Sequence, residues 1–289
     1  MKRCLACEAA FSADDWRCPR CGVSPVRIDG LPSFAPELAA ANDGYDESHF
    51  ARLFELESGH FWFRGRNRLI EWALASHFPS ARSLLEVGCG TGYVLAGMHA
   101  AFPALSLTAG EVFTRGLVFA QQRVPGATFV QMDARAIPFE SEFDVVGAFD
   151  VIEHLEEDEV ALSELHRALK RGGGLLLTVP QHAWLWSVND DDAHHKRRYG
   201  AADLVSKVER AGFRIRRMTS FVSLLFPVMA LARLGHHREG EARDPYAELR
   251  LGRPANAMFG GVTRLERALI RAGVSLPIGG SLLLVAEKR

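Results

Sequence analysis

Two groups of residues in this chain have the types and spacing to do chemistry. The first is Cys4-x2-Cys7, then ten residues, then Cys18-x2-Cys21-Gly22. Two such knuckles supply four thiolates in tetrahedral geometry, the donor set of one structural Zn²⁺. All four positions are sulfur, which leaves no place on the metal for a catalytic water. The second is the run Leu84-Leu85-Glu86-Val87-Gly88-Cys89-Gly90-Thr91-Gly92-Tyr93. A short apolar segment ends beside an acid, glycines occupy alternate positions, and an apolar helical pattern begins. This order reads as a buried strand, a tight turn and a helix N-terminus, where open α/β sheets bind nucleotide-like ligands. Bare backbone at Gly88, Gly90 and Gly92 lets a ligand approach more closely than a Cβ would permit. A dinucleotide fingerprint needs glycine where Tyr93 stands, which weakens a pyrophosphate reading; Cys89 reads as a small packing residue.

The string Glu86-Val-Gly88-Cys-Gly90-Thr-Gly92 resembles the first motif of class I S-adenosylmethionine-dependent methyltransferases, in their bacterial type 11/12-like form. That ligand carries an amino-acid zwitterion and a sulfonium, and neighbouring carboxylates suit both cations. The resemblance implies roles for three strand-end acids. Glu111 would accept from the ribose hydroxyls, and Asp133 from the adenine amine while Ala134 leaves room for the ring. Asp150 would face the methionine end and the acceptor, and Glu86 would shape that methionine end. One such acid alone reads as a solvated loop residue; three at successive strand ends of one sheet edge read as a site.

A narrower resemblance, to a bacterial methyltransferase group, runs through Gly59-His-Phe61-Trp62-Phe63-Arg64-Gly-Arg66-Asn-Arg68 and through Asp190–Tyr199. Phe61, Trp62 and Phe63 either lid the cofactor cleft, excluding water from an electrophile, or pack a helix onto the sheet. Methyl transfer is an in-line displacement at a sulfonium, so alignment supplies most of the rate and a base is needed only for a hydroxyl acceptor. His154, His194 and His195 are candidate bases because an unperturbed imidazole titrates near working pH; His154 and His195 are favoured. Asp150-Val-Ile-Glu153-His154 is also similar to the Mg²⁺-binding spacing of quinone-biosynthetic O-methyltransferases, although acids at helix starts are common for dipole reasons alone. Lys196, Arg197 and Arg198 would receive an anionic acceptor group or form a solvated loop face.

The elements that must position these groups follow from periodicity. Strands are expected at Ser83–Val87, Leu105–Ala109, Thr128–Met132, Phe143–Phe149, Gly174–Val179, Arg214–Thr219 and Ser281–Ala286. Helices are expected at about Arg64–Ser76, Tyr93–Ala101, Arg115–Arg123, Glu153–Lys170 (stopped by Gly172-Gly173-Gly174) and Ala201–Ala211. The expected fold is α/β: a doubly wound, seven-stranded, mostly parallel sheet, Rossmann-like, with its last strand antiparallel as the resemblance implies. Residues 1–30 form a zinc ribbon too small to bury its own core. Residues 31–80 form a linker and helices capping the cleft, and 81–289 form the methyltransferase domain with a helical insertion at about 220–280.

The 289 residues carry a formal net charge of −1, so no global field draws the protein onto nucleic acid or anionic lipid. No apolar h-region follows Met1-Lys2-Arg3, and four of the five cysteines cluster, so a reducing, cytoplasmic location is expected. The apolar stretch Phe221–Leu234 contains Pro227 and Arg233 and is too short to span a bilayer, but suits peripheral membrane contact or a core helix. The expected activity is methyl transfer from S-adenosylmethionine to an O, N or C atom of a small-molecule or lipid- or glycan-linked acceptor. A ribosomal RNA base methyltransferase, using the ribbon for recognition, and a non-catalytic cofactor-binding scaffold are the alternatives.

Overall fold

The computed structural model describes residues 1–39, 47–234 and 250–289. Strands β1 (Lys2–Arg3) and β2 (Ala10–Phe11) pair in the cysteine module, and β3 (Val26–Ile28) and β4 (Leu31–Ser33) form a hairpin after it. Helices α1 (Pro36–Ala39), α2 (Glu47–Leu56) and α3 (Phe61–His77) lead to β5 (Ser83–Val87). Then come α4 (Tyr93–Ala101), β6 (Ser106–Glu111), α5 (Thr114–Arg123), β7 (Thr128–Gln131), β8 (Phe143–Phe149), α6 (Asp158–Ala168) and β9 (Leu169–Pro180). The chain finishes with α7 (Val188–Asp192), α8 (Ala201–Arg210), β10 (Phe213–Phe221), α9 (Phe226–Leu234), α10 (Arg253–Arg271) and β11 (Ser281–Lys288).

The main sheet runs β10-β11-β9-β8-β5-β6-β7-β4-β3. Strands β5 to β9 are parallel to one another, and β11 inserts antiparallel between β10 and β9. Seven of these strands are the seven expected, and β5 is apolar on both faces because helices cover both. One core layer holds Leu162, Leu165 and Val208 from α6 and α8. The other holds Leu69, Ile70, Leu95, Leu117 and Ile270 from α3, α4, α5 and α10. Strand order reverses where β5 lies between β8 and β6, which opens a crevice at the carboxyl ends of these strands.

Four local features differ from the sequence pattern. The glycines Gly172 to Gly174 do not stop a helix: α6 ends at Ala168 and they lie within β9, where a Cβ on Gly174 would overlap the Phe78 ring. The helix expected from Glu153 is split, with Ile152–His154 forming a 3₁₀ turn before α6. Helix α3 starts earlier than Arg64, at Phe61, where the His60 ring accepts the Trp62 N–H at 3.3 Å. The β3–β4 hairpin extends the sheet beyond the expected strands. Asp29 and Gly30 both have positive φ, as a two-residue turn of this hand requires, and β4 pairs in parallel with β7 through Ser33 and Gln131.

The cysteine module is docked on the domain rather than tethered to it. The Arg3 guanidinium meets the buried Glu164 carboxylate at 2.9 Å, and the Arg3 N–H donates to the Pro138 carbonyl at 2.9 Å. The Met1 ammonium pairs with Glu142. Trp16 packs edge-on against Phe34 and Phe139, at 4.7 and 5.5 Å between ring centroids. The Arg3 and Met1 contacts fall on α6 and on the segment entering β8, while Trp16 reaches Phe34, whose N–H donates to the Gln131 carbonyl at the carboxyl end of β7. Among the described residues, no helix is long and apolar enough to cross a membrane.

Candidate cofactor site and the acceptor side

The turn after β5 is built from three glycines with positive φ, 70° at Gly88, 52° at Gly90 and 75° at Gly92. They are bare for different reasons. A Cβ on Gly88 would lie 2.5 Å from Val151, and one on Gly92 would lie 2.8 Å from the Ala120 Cα, so both are packing glycines. A Cβ on Gly90 would meet no atom within 4 Å, so Gly90 alone looks onto open space. That space is the cradle.

Of the four acids expected here, three gather at this turn. Glu111, at the end of β6, is buried and accepts from the Gly90 N–H at 2.8 Å, the Val112 N–H at 2.8 Å and the Phe113 N–H at 3.2 Å. Burial raises its pKa, and those N–H groups oppose the rise. Glu86 is 2% exposed, and its Oε2 has no hydrogen-bond partner. Burial pushes its carboxyl up to about 8, against the pull of Arg66 and with the push of Glu111 and Glu57. An orphaned buried carboxyl oxygen beside an open turn fits a ligand that brings a cation, such as an ammonium. Asp150, at φ 57°, accepts from Arg66 and from the Thr178 hydroxyl at 3.1 Å. Asp133 turns aside from the cradle toward Arg135, whose Nη2 approaches it at 2.7 Å, while Ala134 is 9% exposed. The structure thus groups Glu86, Gly88, Gly90, Gly92, Glu111 and Asp150 around one turn and gives Asp133 a cationic partner of its own.

Residues from the N-terminal helices close the other wall. Arg66 is buried, reaches Asp150 and lies 4.6 Å from the Trp62 ring centroid. The Thr91 hydroxyl donates to Glu57 at 2.6 Å, and Arg123 donates to both, at 2.6 Å to Glu57 and 2.8 Å to Thr91. This staples the end of α2 to the glycine turn. Buried Gln131 bonds Ser33, Ala35 and Val112, fixing the β4 strap to the same edge. None of Arg66, Glu57, Thr91, Arg123 and Gln131 stands among the site residues expected from sequence. The only signal for Arg66 is its place in the Phe61–Arg68 run.

Beyond Asp150 lies a second cluster. His154 and His195 stand 4.7 Å apart, edge to face. The His195 Nδ1 pairs with Asp190 at 2.9 Å, and Arg198 holds that same Asp190 oxygen at 2.7 Å. This leaves the His195 Nε2 turned toward Glu153, at 3.9 Å. Glu153 is fully buried with both oxygens unpartnered, and burial first, then the Asp150 charge, raise its pKa far above the usual carboxylate range. Burial, reinforced by His195, lowers His154 to about 4. His154 is therefore neutral at working pH and a weak base, contrary to the expectation from an unperturbed imidazole. One ligand atom from each of Glu153, His154 and His195 fits within a 4.8 Å span, while Asp150 is held by Arg66.

The four cysteines of the N-terminal module also converge. Their sulfurs lie within 4.8 Å of one another, with Cys4–Cys21 and Cys7–Cys18 both at 3.6 Å. A tetrahedron with Zn–S bonds of ~2.3 Å has edges of roughly 3.8 Å, so the donor set fits. The backbone N–H of Cys21, and that of Arg20 behind it, point at the Cys18 sulfur and lower its pKa to about 6 against the opposing effect of burial.

A glycine cradle at the switch point, with a seventh strand inserted antiparallel, defines the class of Rossmann-like S-adenosylmethionine-dependent methyltransferase folds. Residues 85–177 match the family model of the methyltransferase domain. A probable S-adenosylmethionine-dependent methyltransferase of Mycolicibacterium smegmatis is 30% identical over 164 residues, 55% of this chain and 62% of that protein. A malonyl-[acyl-carrier protein] O-methyltransferase of Enterobacter lignolyticus is 26% identical over 235 residues, 76% of this chain and 89% of that protein. Among solved structures, phosphoethanolamine N-methyltransferase 2 of Haemonchus contortus, in complex with S-adenosyl-L-methionine, shares the fold. It has a TM-score of 0.57 and 19% identity, over 86% of this chain and 58% of that one. The chain thus spans less than two thirds of the length of the mycobacterial relative.

Proposed function

We propose that the chain transfers a methyl group from S-adenosylmethionine to an O, N or C atom of a small-molecule or lipid- or glycan-linked acceptor. The observations that carry this reading are the open space over Gly90 and the orphaned oxygen of Glu86, at the end of the strand that leads into the same turn. Bound there, the cofactor supplies an electrophilic sulfonium methyl. Glu86 takes the ammonium of its methionine end, and Gly90 admits its backbone. Glu111 reaches the ribose, and Asp133 with Ala134 flanks the adenine. Asp150, with Arg66 fixing its orientation, faces the methionine end on the acceptor side.

For a hydroxyl acceptor, His195 is the proton acceptor in this reading. Asp190 holds its Nδ1–H and so keeps the Nε2 lone pair available, as a base oriented by a carboxylate requires. His154 is a neutral imidazole that orients the acceptor rather than a proton carrier. The relative that methylates a carrier-linked malonyl group supports acceptors presented on a larger carrier.

The cysteine module holds structural Zn²⁺ in this reading, a thiolate site that suits a reducing cytoplasm. Its buried anchor, Arg3 on Glu164 and on the Pro138 carbonyl, is a structural contact, so in this reading the module braces the fold rather than delivering an RNA base. The test of the activity is transfer of labelled methyl from S-adenosylmethionine into fractionated cell extract. Label in the small-molecule or lipid fraction is expected. Label confined to RNA assigns the RNA activity instead, and cofactor binding with no label in any fraction leaves the scaffold reading.

A further inference from the structure

Helix α10 buries Thr263, Glu266 and Ile270 against α3 and the turn after β10. Its opposite face is formed by Ala257, Met258, Gly261, Leu265, Ala268 and Leu269, all exposed, with Met258 at 60% and Leu265 at 59%. No polar side chain interrupts that face. A solvent-exposed helix of a globular protein ordinarily carries charge there.

The charges of this helix sit along one flank. Arg253, Arg264 and Arg271 are spaced 11 and 7 residues apart, so they align along one edge of the apolar face, and all three are exposed. Arg64 of α3 extends the same basic edge beside Gly260. The single acid of the helix, Glu266, is turned inward and accepts from the Val222, Ser223 and Leu224 N–H groups, so it offsets none of this at the surface. An apolar helix face edged by arginines, with no exposed acid on that helix, is complementary to an anionic bilayer surface, where the side chains enter the acyl boundary and the guanidiniums meet phosphates.

The helix also has a fixed relation to the cradle. Its Asn256 side chain accepts from the Phe61 N–H at 2.8 Å and donates to the Gly59 carbonyl at 2.9 Å, clamping the start of α3. Trp62 and Arg66 follow in that helix, and Arg66 reaches Asp150. We infer that α10 docks the chain on anionic membrane through its apolar face, so that the acceptor side of the cradle is loaded from the bilayer surface. This deepens the lipid-linked reading above and rests on it for the identity of the site, although docking itself is measured without turnover.

The test is co-sedimentation of the full chain with vesicles. One set contains phosphatidylglycerol in phosphatidylcholine and the other phosphatidylcholine alone. Binding to the anionic vesicles is expected to exceed binding to the neutral ones at least tenfold and to fall as salt is raised to ~0.5 M. Met258→Glu with Leu265→Glu, and separately Arg264→Gln with Arg271→Gln, should each weaken it tenfold or more. Calorimetric binding of S-adenosylmethionine should be unchanged in both, which also shows that the variants are folded. No preference for anionic vesicles, or binding indifferent to both variants, overturns the proposal. So does a stable dimer that Leu265→Glu dissociates, because the face then belongs to a second copy. Vesicle binding with no methyl transfer in any fraction would sink the enzyme reading and leave docking standing.

Discussion

The Arg66 guanidinium and the Asp150 carboxylate form an ion pair that ties α3 to the end of β8 across 84 residues of sequence. Both side chains are largely buried, and Trp62 stacks on the guanidinium at 4.6 Å. Asp150 has a left-handed backbone, and its carboxylate is held by Arg66 and the Thr178 hydroxyl. Removing the guanidinium leaves a buried carboxylate with only the Thr178 hydroxyl. Arg66→Ala is expected to cost about 3 kcal/mol of stability and to weaken cofactor binding about tenfold or more. Denaturant unfolding and calorimetry check the two numbers separately. Arg66→Lys, which keeps the charge but not the fork, should recover part of the stability.

The three glycines of the turn should separate folding from binding. At Gly88 an added methyl runs into Val151, and at Gly92 it runs into the Ala120 backbone, so alanine at either is expected to destabilise by about 2–3 kcal/mol. At Gly90 the added methyl enters open space and carries only the backbone strain, about 1 kcal/mol. Gly90→Ala should therefore fold and yet lose S-adenosylmethionine affinity a hundredfold or more. Thermal unfolding of the free chain and calorimetry of the complex give the two readouts. Equal loss of stability in all three variants would show that the cradle is only a packed turn.

Glu86 makes cofactor binding depend on pH. Its carboxyl is raised to about 8 by burial, so it is protonated in the free chain at neutral pH. Pairing with a ligand ammonium favours the carboxylate, so binding should release a proton between about pH 5 and 8. Below that range affinity should drop. Calorimetry in buffers of different ionisation enthalpy counts the proton, and Glu86→Gln should abolish both the release and most of the affinity. The same burial works against the free chain: protonated Glu86 is the native form, so stability from this group is lost as pH rises through 8, and Glu86→Gln should flatten that loss.

The parts of this site that were legible in the sequence are local ones. Gly88, Gly90 and Gly92 announce themselves because a tight turn restricts backbone conformation within a few residues. Glu111 and Asp150 follow from counting to the end of an apolar run. The wall opposite is not local. Glu57 meets Arg123 from 66 residues away, and Gln131 meets Ser33 from 98; each is an ordinary polar residue until the tertiary fold buries it. The β3–β4 hairpin hid for another reason. Its strands are three residues each, with Pro32 in one of them, too short for alternation to register. For His154 the sequence supports only the ordinary imidazole value, because its spacing says nothing of the burial that lowers it to about 4.

That lowered value fixes a window of acid sensitivity. His154 is neutral in the fold and titrates near 6.5 when unfolded, so the unfolded chain binds more protons between these values. The stability contribution is fully present above pH 6.5 and is lost as pH falls toward 4, by about 3 kcal/mol over the window. His154→Gln should remove most of this slope in denaturant titrations run from pH 7 to 4. Activity should divide the two imidazoles differently. His195→Ala should lower kcat by about 10²–10³ with a hydroxyl acceptor and leave S-adenosylmethionine affinity intact. His154→Gln should leave the neutral limb of the pH–rate profile unmoved.

The cysteine module offers the last separation, between brace and reader. Arg3 and Glu164 are both under a tenth exposed, and Glu164 also accepts the Ile137 N–H at 2.9 Å. The module's fold and this buried pair stand or fall together, because β1 presents Arg3 only while the four sulfurs are gathered. Chelation, or Cys18→Ser with Cys21→Ser, should release one Zn²⁺ per chain and lower stability by about 3 kcal/mol, close to the cost of Arg3→Ala. The two losses should not add, since both remove the same contact. S-adenosylmethionine affinity measured below the new unfolding midpoint should stay within about twofold of the intact chain. If chelation instead abolished cofactor binding in a chain still folded by circular dichroism, the module would have a direct role at the cradle.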